Sequence, residues 1–246
     1  SWQRKEVIGE ISKKLKIRLL DLPSSRWREL ADVMGAHILK KNILVYLKDA
    51  ELQDMIKERN WTGDLIPAEK DYLMVVDSNM GALKTDAIMK RSISYAVRQA
   101  HGGIISGLRI NYAHAGGKDW RTSAYKTYTR IYVPEGSRLI KAEGVQDIKT
   151  GNEAGKTYFG AYLTVDPGKI KNVYFEYELP ERLSSGSYEL YAQKQPGSDI
   201  DELSIDLSLS NGVKSYSPSG FFANKNGNRV VWETDLKTDR VFRAEQ

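Results

Sequence analysis

The fold of this chain is decided by the stretch Asp71-Tyr-Leu-Met-Val-Val-Asp77-Ser-Asn-Met-Gly81-Ala-Leu-Lys84-Thr-Asp86. A short apolar run ends in Asp77, and a polar turn that contains Gly81 follows it. This order is typical of a buried strand that carries polar side chains at its end. From Tyr72 onward the apolar residues recur at every second position, which predicts strands rather than helices.

The clearest period-two segment comes directly after this stretch. The turn signal His101-Gly-Gly103 follows it, and the run 104–112 then returns as a second strand, so the pair predicts a hairpin. One face of the first predicted strand carries Met89, Arg91, Ile93, Tyr95 and Val97.

The rest of the chain has the same pattern. Asp166-Pro-Gly168, Asn226-Gly227 and similar turn signals separate short β-favouring runs, and this spacing favours an immunoglobulin-like sandwich. Seven further strands are predicted, at 125–133, 139–142, 158–165, 170–179, 187–193, 203–209 and 229–234.

The N-terminal segment has a helical pattern instead. Pro23-Ser-Ser25 precedes a second predicted helix, and Asp49 is placed to cap a third. The run Asn42-Ile-Leu-Val-Tyr-Leu47 lies between them and favours a strand. The first helix has a three-four spacing that predicts one apolar face, formed by Val7, Ile8, Ile11 and Leu15.

The predicted fold class is therefore α+β, with a small N-terminal helix/strand segment, a β-rich middle and a C-terminal immunoglobulin-like β-sandwich. We assign residues 1–70 to the helix/strand segment, which we interpret as the end of a truncated α/β domain. Residues 71–150 form the β-rich middle region, and residues 151–246 form the sandwich.

Composition excludes several kinds of site. The 246 residues include no cysteine, so disulfides, thiolate metal sites and cysteine nucleophiles are absent. The net charge of +5 is a mild excess spread along the chain, and we therefore expect no nucleic-acid partner. No apolar run is long enough to span a bilayer. Because the chain begins at Ser1 without a methionine, we expect a fragment or a processed product, with any membrane anchor upstream.

Several pieces of this sequence, in order, resemble the uncharacterised bacterial family called "domain of unknown function 4012". The resemblance extends from about Ser24 to about Asn211, and the order of the pieces is its most specific feature. They are Lys41-Asn-Ile-Leu-Val-Tyr-Leu-Lys-Asp-Ala-Glu-Leu-Gln53, Asn60-Trp-Thr-Gly-Asp64, Asp71-Tyr-Leu-Met-Val-Val-Asp77 with Asn79 and Gly81, Lys84-Thr-Asp86, Arg130-Ile-Tyr-Val-Pro-Glu-Gly136 and Gln193-Lys-Gln-Pro-Gly197.

This resemblance implies a location as well as a fold. Members of the family resemble cell-envelope proteins that have an N-terminal membrane anchor and a longer extracytoplasmic region. The chain would be the C-terminal part of that region, and an upstream anchor absent from it would provide the contact with the membrane. The resemblance implies no catalytic residues, since none are established for the family.

Asp77, Asn79, Lys84 and Asp86 are the candidate ligand or turn cluster. At the end of a buried strand they could converge on a ligand or a cation, because carboxylate and amide oxygens suit hard cations. The alternative is structural: Asp77 and Asn79 hydrogen-bond their own turn, and Lys84 pairs with Asp86 or Asp77. The structural interpretation is favoured, and we assign no catalytic, cofactor or metal residues.

Four other patterns have ordinary explanations. Gly151-Asn-Glu-Ala-Gly-Lys-Thr157 lacks the spacing and the following helix of a phosphate loop, so a polar hairpin loop is expected. His101 and His114 lie at opposite ends of a predicted hairpin, too far apart to share a metal.

The acidic cluster Asp199, Asp201, Glu202 and Asp206 lacks calcium-loop spacing and is expected to be a solvated loop running into a strand. Tyr125, Tyr128 and Tyr132, with Trp120, could stack on a glycan but by default pack across strands.

The function expected from these observations is that of a structural or interaction module of a bacterial envelope, whose loops and strand edges meet a protein or polysaccharide partner. The competing class is an enzyme that acts on envelope glycans or glycolipids, with Asp77, Lys84 and Asp86 near its site and part of that site in a missing N-terminal half. No cofactor is expected for either class.

Overall fold

The computed structural model describes residues 2–81, 83–100, 103–183, 187–220 and 222–246. The N-terminal part contains the helices α1 (Trp2–Leu20), α2 (Trp27–Leu39) and α3 (Ala50–Glu58). Asp49 caps α3, as predicted, by accepting a hydrogen bond from the backbone of Leu52 at 3.0 Å. In the described part of the chain, no helix is both long enough and apolar enough to span a bilayer.

The prediction of a strand at 42–47 is wrong. This run is irregular, and its backbone groups bond within the N-terminal segment rather than to a sheet. The N–H of Val45 donates to the carbonyl of Trp61, and that of Leu47 donates to the Gln53 side chain. β-favouring residues form a strand only where a neighbouring strand pairs with them, and no such neighbour is present in the described part of this segment.

Strands dominate the remainder of the chain, so α+β is the fold class. In the described residues they are β1 (Asp71–Asn79), β2 (Met89–Ala100), β3 (Gly103–His114), β4 (Tyr125–Pro134), β5 (Arg138–Glu143), β6 (Gln146–Glu153), β7 (Lys156–Val165), β8 (Ile170–Glu178), β9 (Tyr188–Ala192), β10 (Ile200–Ser208), β11 (Ser215–Ser217), β12 (Ala223–Asn226), β13 (Arg229–Leu236) and β14 (Arg240–Glu245).

These strands form two sheets of seven within the described residues. The first sheet has the order β11-β14-β9-β1-β4-β7-β6, and the second has the order β12-β13-β10-β2-β3-β8-β5. Most neighbours are antiparallel, but β1 pairs in parallel with β9, and β2 pairs in parallel with β10. The centre of each sheet therefore joins chain segments that are far apart in sequence.

The two sheets pack face to face around one apolar core. Tyr177 of β8 lies 5.3 Å from Phe159 of β7, measured between ring centroids, and Trp232 of β13 lies 5.3 Å from Phe242 of β14. Both contacts join the first sheet to the second, and all four rings are almost completely buried. Burial of large rings in such a layer is a main source of the free energy of folding.

The expected boundary at residue 150 falls inside β6. Strands from 71–150 and from 151–246 pair with each other in both sheets, for example β1 with β9 and β3 with β8. The two stretches therefore share one hydrophobic core.

Most of the predicted strands are confirmed within a few residues, and the pairing of β2 with β3 confirms the hairpin. Its turn residues His101 and Gly102 lie outside the described residues. The strands β6, β11, β12 and β14 were not predicted. Three of the four are short or polar, and a polar edge strand has no apolar alternation to reveal it.

Polar contacts attach the irregular segment after α2 to the sandwich. Lys41 is buried, and its Nζ lies 2.8 Å from Oδ2 of Asp239. The side chain of Gln193 donates to the carbonyl of Asp64 at 2.8 Å and accepts from the backbone of Ile66 at 3.0 Å. By contrast, the predicted apolar residues of α1 are each at least half exposed. The segment before β1 is therefore held by hydrogen bonds and one buried ion pair, together with apolar contacts of Leu65 and Ala68 on the cluster of Tyr72, Met74 and Tyr132.

Candidate functional site

Asp77 lies near the end of β1 and is buried, with its side chain 4% exposed. Its Oδ2 lies 2.8 Å from Nε of Arg91, and its Oδ1 accepts a hydrogen bond from the hydroxyl of Tyr112 at 2.9 Å. Burial raises the pKa of Asp77, while the charge of Arg91 and the hydrogen bond from Tyr112 oppose that increase. The carboxyl group is therefore held by neighbours from the facing sheet.

The backbone of Asp77 is held as well. The side-chain amide of Gln195 accepts from the Asp77 N–H and donates to the Asp77 carbonyl, both at 3.0 Å. The strand β9 ends at Ala192 and does not reach Asp77, so the Gln195 side chain takes its place beside β1. A side chain that satisfies both backbone groups of a strand residue acts as a one-residue extension of the sheet.

Arg91 is the centre of this arrangement, and its side chain is 6% exposed. Its Nη2 lies 3.0 Å from Oδ1 of Asp86 and donates to the hydroxyl of Tyr125 at 2.8 Å. The guanidinium also lies over the rings of Tyr112 and Tyr125, at 5.9 and 5.4 Å from their centroids. We refer to Asp77, Arg91 and Asp86 as the Asp77 cluster.

The other two predicted residues have different roles. Asn79 closes its own turn: its Nδ2 donates to the carbonyl of Leu83 at 2.9 Å, and its Oδ1 accepts from the N–H of Gly81 at 2.8 Å. Lys84 is exposed, and its backbone N–H donates to the carbonyl of Arg121. The structural alternative expected Asp77 to hydrogen-bond its own turn and Lys84 to pair with Asp86 or Asp77. The Asp77 carboxylate is instead held from the facing sheet, and Arg91 pairs with both carboxylates.

Arg91 is not among the residues that the sequence predicts for this cluster, although its position carries a signal. It occupies the face of β2 that otherwise carries Met89, Ile93, Tyr95 and Val97. A charged residue on the buried face of a strand needs a buried partner, because an unpaired charge in a core is costly. That rule would have identified Arg91 and pointed to a carboxylate on a facing strand.

A cleft of about 660 Å³ opens at this end of the sandwich. Besides the Asp77 cluster it is lined by residues of the predicted acidic cluster, Asp199 and Asp201. Asp199 lies 3.2 Å from Nζ of the buried Lys194, and Asp201 lies 3.0 Å from Nζ of Lys237. Each carboxylate that lines the cavity thus has a cationic neighbour. We refer to this cavity as the end cleft.

Asp71, at the start of β1, is a second buried carboxyl group that the sequence did not single out. Its Oδ2 accepts hydrogen bonds from the hydroxyls of Tyr188 at 2.5 Å and Tyr95 at 2.9 Å, and its Oδ1 accepts from the N–H of Tyr72 at 2.8 Å. Burial raises its pKa and these three donors offset part of that increase, so that the resulting pKa is about 6. Asp71 lies between the sheets rather than in a cleft.

Other predicted patterns can also be placed. The 151–157 segment is the hairpin of β6 and β7, as predicted, and its Ala154-Gly155 turn has positive φ angles of 49° and 69°. His114 is buried, with its Nε2 2.8 Å from the carbonyl of Ser123. His101 lies outside the described residues. Among the residues that the structure describes, no group of three or more His, Asp or Glu side chains is placed to hold a metal ion.

The tyrosines proposed as a glycan surface do not all share a face. Tyr125 points into the core between the sheets, and Trp120 is exposed in the loop before β4. Tyr132 lies with Tyr128 on the outer face of the first sheet, where Tyr132 is buried against Tyr158. Tyr128 packs on Tyr162 on the outer face of the first sheet, with ring centroids 4.7 Å apart. These contacts are the cross-strand packing that is usual for tyrosine in sheets.

Comparison with known proteins gives no family for this chain. No family model matches it, and no curated protein matches it. A Legionella pneumophila protein named as a candidate nutrient-binding protein has a TM-score of 0.45 and 10% identity, over 72% of this chain and 71% of its own. An M1 zinc metallopeptidase from Deinococcus radiodurans has a TM-score of 0.34 and 11% identity, over 64% of this chain and 42% of its own. Similarity at this level carries no inference about function.

Proposed function

We propose that this chain is an extracytoplasmic structural or interaction module of a bacterial envelope, and that its partner is an envelope protein or polysaccharide. In this proposal a membrane segment upstream anchors the protein, as the resemblance to the family of domain of unknown function 4012 implies. The sandwich then positions loops and sheet faces away from the membrane, where partners bind.

The observation that carries the proposal is the internal pairing of the Asp77 cluster. Both carboxylate oxygens of Asp77 and both of its backbone groups have partners within the protein. Arg91, its ion-pair partner, is itself buried. A general base or nucleophile needs a free lone pair that faces a substrate. Asp77 is instead placed to hold β1 against the facing sheet.

The end cleft supports a second candidate function, that of an enzyme acting on envelope glycans or glycolipids. The cleft contains Asp86, Asp199 and Asp201, whose side chains are each about half exposed or more. Glycosidases use two carboxyl groups on opposite sides of the scissile bond. Here every one of the three is paired with a cation, which favours the first candidate.

Incubation of the purified protein with peptidoglycan, neutral envelope polysaccharide and glycolipid distinguishes the two candidates. We expect no release of reducing sugar above the protein-free rate. Turnover by the wild type that Asp86→Asn or Asp199→Asn abolishes, with an unchanged unfolding midpoint, would establish the enzyme instead. Protease accessibility of the full-length protein in intact cells tests the location; protection until the envelope is broken would refute an external position.

We also propose that the sandwich belongs to the immunoglobulin-like class. Face-to-face packing of two mainly antiparallel sheets supports this assignment. The parallel pairs β1 with β9 and β2 with β10 differ from the antiparallel sheets of that class. An experimental structure that aligns its central strands with an immunoglobulin domain in the same order would test it.

A further inference from the structure

The outer face of the second sheet contains a groove of about 480 Å³. Its floor is formed by small side chains at the centre of the sheet, where Ser94 of β2 pairs with Ser204 of β10. On one side of this row the next residue is Glu233 of β13, and on the other side it is Arg109 of β3. An adjoining hollow of about 210 Å³ shares Ser94 and Arg109 and extends the groove past Ala96.

The dimensions of the groove follow from the spacing of the strands and from their rise per residue. Glu233 and Arg109 lie on strands three spacings apart, so the side walls are separated by about 14 Å at the backbone. Along β2 the floor runs from Ser92 to Ala96, which is about 13 Å. A trough of this width and length has room for a short run of sugar rings.

The chemistry of the lining is that of sugar recognition. Ser92, Ser94 and Ser204 present hydroxyl groups that both donate and accept hydrogen bonds. Arg109 donates and Glu233 accepts, and because they stand on opposite walls they would contact hydroxyls of different sugar rings.

A tyrosine ring forms one wall of the adjoining hollow. Tyr174 lies over Gly107, where a Cβ atom would approach its hydroxyl to 2.8 Å. The hydroxyl donates to Oε2 of Glu176 at 2.9 Å, and the Arg109 guanidinium lies over the ring, 5.5 Å from its centroid. The ring and the guanidinium thus hold each other in position, and a fixed planar pair is a favourable surface for a sugar, because little side-chain entropy is lost on binding.

The same lining argues against a peptide. The strand β2 is hydrogen-bonded to β10 on one side and to β3 on the other, so an added peptide strand cannot pair with it. The rim is charged, with Glu202, Glu233 and Arg109, whereas peptide grooves rely on apolar pockets for anchor residues. Together with the adjoining hollow, the groove has three carboxylates, Glu202, Glu233 and Glu176, against the guanidinium groups of Arg109 and Arg98, and this excess of negative charge disfavours an anionic polymer.

We propose that this groove binds an uncharged oligosaccharide segment of an envelope polysaccharide. The inference rests on the proposed interaction role, for which it selects polysaccharide rather than protein as the partner. Tyr174 and the guanidinium of Arg109 over it contact one sugar ring, the serine floor binds ring hydroxyls, and the groove releases its ligand without breaking a bond.

Titration by calorimetry and by amide NMR shifts tests the groove with two neutral probes, tetra-N-acetylchitotetraose and maltotetraose, and one anionic probe, tetragalacturonate. We expect at least one neutral probe to bind and to shift amides of β2, β3 and β10. Ser94→Trp fills the floor and should weaken that binding by about tenfold or more. Thr164→Trp, at an exposed position on the outer face of the first sheet, is the matched control and should bind as the wild type does.

Absence of binding by both neutral probes at millimolar concentration would overturn the inference. Tighter binding of tetragalacturonate, or unchanged affinity in Ser94→Trp, would do the same. Unfolding midpoints of both tryptophan variants show that any loss is not due to misfolding. Hydrolysis of a bound probe would refute the proposed function instead, while leaving the groove as a sugar site, so the two failures are distinct.

Discussion

Asp71 should make the stability of this protein decrease as the pH rises above about 4. Burial raises the pKa of its carboxyl group from 3.8 to about 6. The folded protein therefore binds this proton more tightly than the unfolded chain does, so the contribution of Asp71 is complete below pH 3.8 and is lost as the pH rises through 6. A shift of about 2 pKa units corresponds to about 3 kcal/mol of unfolding free energy.

The assay is urea unfolding of the wild type and of Asp71→Asn between about pH 3.5 and pH 7. Asparagine has a similar shape, retains an acceptor for Tyr95 and Tyr188, and does not titrate. Because the other titrating groups cancel in the comparison, the free energy of the wild type minus that of the variant should fall by about 3 kcal/mol over this range.

The exposed residue Asp54 supplies the control, because Asp54→Asn removes one carboxyl group from the surface without touching the core between the sheets. A constant difference for Asp71→Asn would refute the reasoning, because it would mean that the buried carboxyl group titrates at its ordinary pKa. A difference that increases with pH would show that the hydrogen bonds from the tyrosines outweigh burial.

Three further predictions concern neighbouring features. Tyr188→Phe removes a donor to Asp71, so it should raise the Asp71 pKa further, and the pH dependence of unfolding should move to higher pH; an unchanged profile would contradict this. Gln195→Ala removes both hydrogen bonds to the Asp77 backbone and should lower the unfolding free energy by about 1–3 kcal/mol, against little change for the exposed Gln146→Ala. Calorimetry should detect no micromolar binding of ATP, because Lys156 is buried over the ring of Tyr72 and its hairpin leads into a strand.

Local patterns predicted much of the fold. The alternation from Met89 to Val97 fixes the inward face of β2, since successive strand residues point to opposite faces. Turn signals at Asp166-Pro-Gly168 and Asn226-Gly227 separate strands that the structure contains. Period and turn chemistry are properties of neighbouring residues, and they can be read without knowing what packs against them.

The pairing of distant strands could not be predicted in the same way. The parallel contacts of β1 with β9 and of β2 with β10 join segments separated by about half of the chain. Nothing local specifies such a partner, because many apolar strands compete for the same central position. The run 42–47 shows the converse: its residues favour a strand, but no strand among the described residues pairs with it, and its backbone stays irregular.

The candidate site was predicted only in part, because here too some contacts join residues that are distant in sequence. Asp77 and Asp86 do lie together, and Asn79 closes its turn as the structural alternative expected. Arg91, which joins the two carboxylates, comes from another strand, and Asp71 becomes a buried acid only when Tyr188 packs beside it. Long-range packing creates both environments.

The central claim is that the Asp77 cluster holds the two sheets together, and paired urea unfolding of Asp77→Ala and Asp86→Ala tests it most directly. Removing Asp77 leaves Arg91 buried with only its half-exposed partner Asp86, so we predict a loss of about 3–5 kcal/mol. Asp86→Ala should cost less than about 1 kcal/mol. Wild-type stability of Asp77→Ala would contradict the account.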